Sequence, residues 1–161
     1  MRASLRFAAY EPDIPQNVGA MVRLAAALAC PLELIEPFGF VFDRKRLGRA
    51  ALDYHDRAAI TRHASWERFE AAARAAERRL VLLTTRAATD YRDVAYGARD
   101  ILMVGSESRG VPAAVHAAAD LRVVIPLAAD VRSLNVVTAL AMVAGEALRQ
   151  QRRLRQTRSD G

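Results

Sequence analysis

The 161-residue chain is 52% hydrophobic and carries a formal net charge of +6. That length suits one domain, residues 1–161, with a core of its own, and no apolar run reaches the roughly 18 to 20 residues of a membrane span. Cys30 is the only cysteine, which excludes an internal disulfide, and His55 and His63 are too isolated for a metal site.

The first seven residues run into an apparent strand and lack a signal-peptide core, so a soluble, cytoplasmic protein is expected. Leu5 to Tyr10 reads as the first strand. The prolines at 12 and 15 end it in a loop. From Asn17 the apolar residues fall at helical spacing: Val18, Met21, Val22, Ala25 and Leu28 share one broad face, ending before Pro31. Asn17 suits the cap of that helix. Gly19 and Arg23, four apart, lie on a common face. An arginine in so apolar a helix is costly if buried unpaired, so Arg23 has a partner, faces a site or extends along the surface. Cys30 follows the helix end and reads as core packing.

Leu32 to Ile35 forms a second strand, broken at Pro37 and Gly39. Residues 44–51 look like a short basic helix, and Asp53, Tyr54 and His55 follow as a polar loop. Residues 59–61 are a short strand, Trp66 to Ala76 an amphipathic helix, and Arg79 to Thr84 a third long strand. Asp90 to Arg99 is polar and turn-like. Strands over Ile101–Val104 and Arg122–Ile125 flank a short helix over Pro112–Ala118. A long helix runs from about Asn135 to Leu154, apolar in its first half and basic in its second. Strands alternating with helices give an α/β fold with a mostly parallel sheet.

One stretch organises the rest. Ile101 to Val104 is an apolar run that stops at Gly105. Gly110 comes five residues later and Pro112 opens a helix, with Glu107 held inside the loop. Loops at the carboxyl ends of strands in α/β sheets are where ligands bind, and glycine lets them approach the main chain. Before the last helix, Asp130, Arg132, Ser133 and Asn135 make a second loop rich in hydrogen-bonding groups. Basic residues cluster at Arg44, Lys45, Arg46 and Arg49, and again at Arg149, Arg152, Arg153, Arg155 and Arg158, where a basic tail begins near residue 152. Arginine pairs bidentately with phosphate and stacks on bases, so the balance points weakly to a polyanionic partner.

Three motifs, in this order and spacing, resemble the SPOUT class of RNA methyltransferases: Asn17-x-Gly19-x-x-x-Arg23, then Gly105 to Pro112, then Ile125-Pro126 through Ser133-Leu134-Asn135. The match runs from Leu5 to about Gln150. The stretches 10–15, 35–37 and 52–55 narrow it to the small, single-domain tRNA 2′-O-methyltransferases that act on the cytidine or modified uridine at position 34. The resemblance implies an α/β sheet with helices on its flanks and a C-terminal deep trefoil knot, a homodimer, and S-adenosylmethionine as methyl donor. It implies no metal and no membrane, and an anticodon stem-loop of tRNA as partner. The cofactor would be held by the loops after Leu83, Gly105 and Ile125, with Ser133 and Leu134 closing the pocket.

Arg23 stands at the family's catalytic position. A guanidinium is a poor proton acceptor near neutral pH, so an electrostatic role fits it better: holding the neighbouring phosphate and stabilising a developing alkoxide. Asn17, Glu107 and Asn135 are candidates to order the loops and the ribose, and Asn135 stands equally where a helix cap would. The chain departs from relatives at Val137, where a serine is common, and at Gly145, where some wobble enzymes carry a tyrosine. The alternatives are the same transfer at another tRNA or rRNA nucleotide, or a non-catalytic RNA-binding protein with this fold.

Overall fold

The computed structural model describes residues 4–43, 45 and 58–159, with side chains through residue 152. The expected basic helix over 44–51 and the polar group Asp53, Tyr54 and His55 lie outside the described residues. So do the side chains of Arg153, Arg155 and Arg158.

In chain order the elements are β1 (Arg6–Tyr10), α1 (Pro15–Leu28), β2 (Leu32–Ile35), β3 (Ile60–His63), α2 (Trp66–Ala75) and β4 (Arg79–Leu83). Then come β5 (Thr89–Asp90), a 3₁₀ turn (Tyr91–Asp93), β6 (Asp100–Val104), α3 (Ala113–Ala118), β7 (Leu121–Val124) and α4 (Val136–Ser159). The strands form one seven-stranded sheet in the order β3-β2-β1-β6-β4-β7-β5, every pairing parallel.

Both faces of the sheet are covered, so the central strands are apolar throughout rather than alternating. Along β1, Phe7 and Ala9 face one layer while Ala8 and Tyr10 face the other. In β6, Leu102 and Val104 join the first layer, and Ile101 and Met103 the second. α1 and α4 cover the first layer with Val18, Met21, Val22, Leu140, Val143 and Ala147. α2 and α3 cover the second with Phe69, Ala73 and Val115. The fold is therefore α/β with a parallel sheet flanked by helices.

Two expectations need correction. α1 begins at Pro15 with Ile14 at its cap position, so Asn17 does not cap the helix. It lies inside the first turn and is buried, its side chain engaged in longer-range bonds. The stretch 90–99 is not merely a polar turn. Thr89 and Asp90 pair with Val123 and Val124 at the sheet edge, and Val94 and Tyr96 are buried in the core. Their burial depends on α4: Gln150 accepts from the backbone N–H of Tyr96 at 2.9 Å and donates to the Val94 carbonyl at 3.0 Å.

Cys30 is core, as expected: 4% exposed, directly after α1. Burial pushes its thiol up to about 11, so at neutral pH the reactive thiolate is scarce. A thiol reagent at pH 7.5 should leave Cys30 unmodified for hours in the native protein and label it within minutes in denaturant. Rapid labelling of the native form would show that this end of α1 opens readily.

Candidate active site

β4, β6 and β7 lie side by side and all run the same way, so their carboxyl ends open onto one region. A cavity of about 390 Å³ occupies it. Its walls come from 82–86 after β4, from 104–107 and 109–111 after β6, and from 123–125 and 127 after β7. Ser133, Leu134, Val136 and Ala139 close it from the start of α4. Leu83, Gly105, Ile125, Ser133 and Leu134, proposed from separate parts of the sequence, all line this one cavity.

The loop after β6 is a tight ring. The backbone N–H of Ser106 donates to Gly110 at 3.0 Å and that of Gly110 donates to Ser106 at 2.8 Å. The two glycines serve different needs. A Cβ on Gly105 would stand 2.7 Å from the Gly110 carbonyl carbon, so only glycine allows the ring to close. Gly110 adopts φ +64°, and a Cβ there would project into open space. Arg86 braces the ring by donating to the Val111 carbonyl at 3.1 Å.

Glu107 anchors a chain of hydrogen bonds leading away from the ring. It accepts from the Asp13 backbone N–H at 2.9 Å and from Asn17 Nδ2 at 3.1 Å. Asn17 Oδ1 in turn accepts from Asn135 Nδ2 at 2.9 Å. Asn135 Oδ1 accepts from the backbone N–H groups of Val137 at 2.8 Å and Thr138 at 3.3 Å, capping α4. Asn135 thus caps a helix and, through its other side-chain atom, is tied to the Asn17–Glu107 pair. The chain ties three distant segments together, residues 13–17, 107 and 135.

Asp13 was not foreseen. Its carboxylate accepts a hydrogen bond from the Ser108 hydroxyl. Burial raises Glu107 above the usual carboxylate range, while hydrogen bonding with Glu107 and Ser108 holds Asp13 down at about 2. Asp13 lies in the stretch 10–15 that contributed to the resemblance, but nothing local assigns it a role, because its partners lie more than 90 residues away.

Arg23 sits outside this group. It is exposed on α1, two turns beyond Asn17, and does not line the cavity. No group of three or more possible metal ligands occurs among the described residues, and no helix there is long and apolar enough to cross a membrane.

Comparison with known proteins places the chain in a family. A tRNA (cytidine(34)-2′-O)-methyltransferase of Beijerinckia indica is 53% identical over 143 residues, covering 89% of each chain. That of Escherichia coli K12 is 43% identical, covering 91% of this chain and 93% of its own. A structure described as giving insights into 2′-OH methylation of C/U34 on tRNA superposes with a TM-score of 0.87. It shares 37% identity and covers 92% of this chain and 97% of its own. The SpoU rRNA Methylase family matches residues 4–145, a span that contains the whole cavity wall and the Asp13–Glu107–Asn17–Asn135 chain, and the protein belongs to that family.

Proposed function

We propose that the protein methylates the ribose 2′-hydroxyl of nucleotide 34 of tRNA, a cytidine or modified uridine, using S-adenosylmethionine. The observation that carries this reading is the cavity at the ends of β4, β6 and β7, joined through Glu107 and Asn17 to Asn135. The relatives named above act, by their names, on cytidine 34, and they match nearly the full chain. A SpoU methyltransferase of Streptomyces viridochromogenes, 27% identical with a TM-score of 0.82, is described in complex with AdoMet.

The cavity fits such a cofactor. Its walls are apolar at Leu83, Ile125 and Leu134, which suits adenine. Backbone lies open at Gly110, where a Cβ would enter empty space, and the buried Ser106 Oγ makes no direct hydrogen bond among the described residues. Leu83, Gly105 and Ile125 would hold the cofactor through their main chain, with Ser133 and Leu134 closing over it. When bound, S-adenosylmethionine would supply a methyl group activated for transfer by its positively charged sulfur.

The protein's share of the work is alignment and charge. The Glu107–Asn17–Asn135 chain holds the cavity wall and the start of α4 in one geometry, an orientation effect worth several-fold to many-fold in rate. Arg23 binds the phosphate beside the target ribose and stabilises charge building on its oxygen. Because Arg23 lies outside the cavity of its own chain, the reading includes a homodimer in which each site is completed near the subunit interface. It also includes one domain over residues 1–161, a cytoplasmic setting and the anticodon stem-loop as the part of tRNA that docks. The C-terminal part is read as a trefoil knot. β7 lies beyond β4 from β6, and α4 then returns to pack beside α1 on the other side.

Methyl transfer from labelled S-adenosylmethionine to total tRNA, with the product mapped by nucleotide, tests the reading. A 2′-O-methyl mark at position 34 is expected. A mark elsewhere would keep the chemistry and reject the wobble assignment, and absence of both transfer and cofactor binding would reject the enzyme.

A further inference from the structure

The loop after β2 brings three phenylalanines into one pile. Phe38 stacks on Phe40 with ring centroids 5.6 Å apart and planes 12° from parallel, and on Phe42 at 5.4 Å and 28°. The guanidinium of Arg62, on β3, lies 4.3 Å from the centroid of Phe42 and 5.4 Å from that of Phe38. Glu36 fixes it there through an ion pair at 2.7 Å. The three rings are only partly buried, and Arg62 and Lys45 are exposed.

The three rings pack against the margin of the core, and two features point to a role for the pile beyond packing. Val41, between two of the phenylalanines, is 91% exposed, a placement that adds nothing to stability by apolar burial. The loop is also fastened to the candidate active site. Gly39 donates to the Pro12 carbonyl at 3.0 Å, and a Cβ on Gly39 would stand 2.4 Å from the Asp13 Cβ. Asp13 is the residue whose backbone N–H holds Glu107. The aromatic loop therefore abuts the segment that holds Glu107, at the same carboxyl end of the parallel sheet.

We propose that Phe38, Phe42 and Arg62 form a stacking platform for an unpaired base of the RNA substrate, next to the nucleotide that is methylated. This rests on the RNA reading above. Flat apolar rings and a planar cation held against them are the chemistry by which proteins take single-stranded bases and their phosphates. The net charge of +6 is complementary to that partner.

The test uses the full chain and purified tRNA, with Phe42→Leu, Phe42→Tyr and Arg62→Gln compared with the unaltered protein. Leucine keeps apolar packing and removes the aromatic face, whereas tyrosine keeps the face. Phe42→Leu and Arg62→Gln should each weaken tRNA binding by about tenfold, with S-adenosylmethionine affinity and thermal midpoint unchanged, and Phe42→Tyr should bind normally. Binding within twofold for both weakened variants would overturn the platform. So would loss of cofactor binding alongside, which marks a packing role, or dissociation into monomers, which marks a surface between copies of this chain. Failure of the unaltered protein to methylate tRNA would count against the enzymatic reading instead, since the platform is scored on tRNA binding alone.

Discussion

Arg23→Ala should lower kcat for tRNA methylation by about 100- to 1,000-fold while leaving affinity for S-adenosylmethionine within twofold of the original. The size follows from the usual cost of removing one electrostatic stabiliser of developing negative charge. The selectivity follows from position: Arg23 is exposed on α1 and lines no part of the cavity at the ends of β4, β6 and β7. Calorimetric titration with the cofactor and single-turnover methylation of tRNA separate the two quantities. Equal loss of cofactor binding and turnover would mean that Arg23 acts by holding the fold. Arg23→Lys should recover only a small part of the rate, since a point charge lacks the planar fork that meets phosphate bidentately.

Gly105→Ala should have the opposite signature: cofactor affinity falls by about 100-fold or more, and turnover with it. The added methyl would meet the Gly110 backbone at 2.7 Å, where no flexible side chain can yield. Either the Ser106–Gly110 ring opens or β6 shifts, and each moves the cavity wall. Gly110→Ala is the useful comparison. Its left-handed backbone angle costs about 1 kcal/mol, and its methyl stands in open space rather than against main chain. Stability should fall modestly in both variants, and the thermal midpoint reads that part separately. Undiminished cofactor affinity in Gly105→Ala would show that the ring is not part of the binding wall.

Arg23 and Gly105 both stand out in the amino-acid sequence, and local chemistry is legible there wherever its cause is local. The continuous apolar runs of β1, β4 and β6 imply strands buried on both faces, and alternation with helices implies a parallel sheet. Asn135 before an apolar run implies a capped helix, and it caps α4 through two backbone N–H groups. The glycines bounding Glu107 mark a candidate ligand loop because their backbone freedom is a property of the residue itself.

What depends on partners far along the chain is not legible in that way. Helical spacing alone makes Asn17 a cap, but burial against Glu107 and Asn135 gives it another role, across 90 and 118 residues. Residues 90–99 look polar because their two buried members, Val94 and Tyr96, are covered only once α4 folds back over them. Nothing local assigns a role to Asp13 or to the Phe38–Phe42 loop: Asp13 acquires one through Glu107 and Ser108, and the loop by packing on Asp13 through Gly39. By itself the sequence determined the fold class and, through the family resemblance of its motifs, three candidate loops and the residues to watch within them. The tertiary structure alone decided which of those residues share a cavity, which hold one another, and which, like Arg23, stand outside it. Hydrogen bonds and close packing are made between surfaces that only the finished topology brings together.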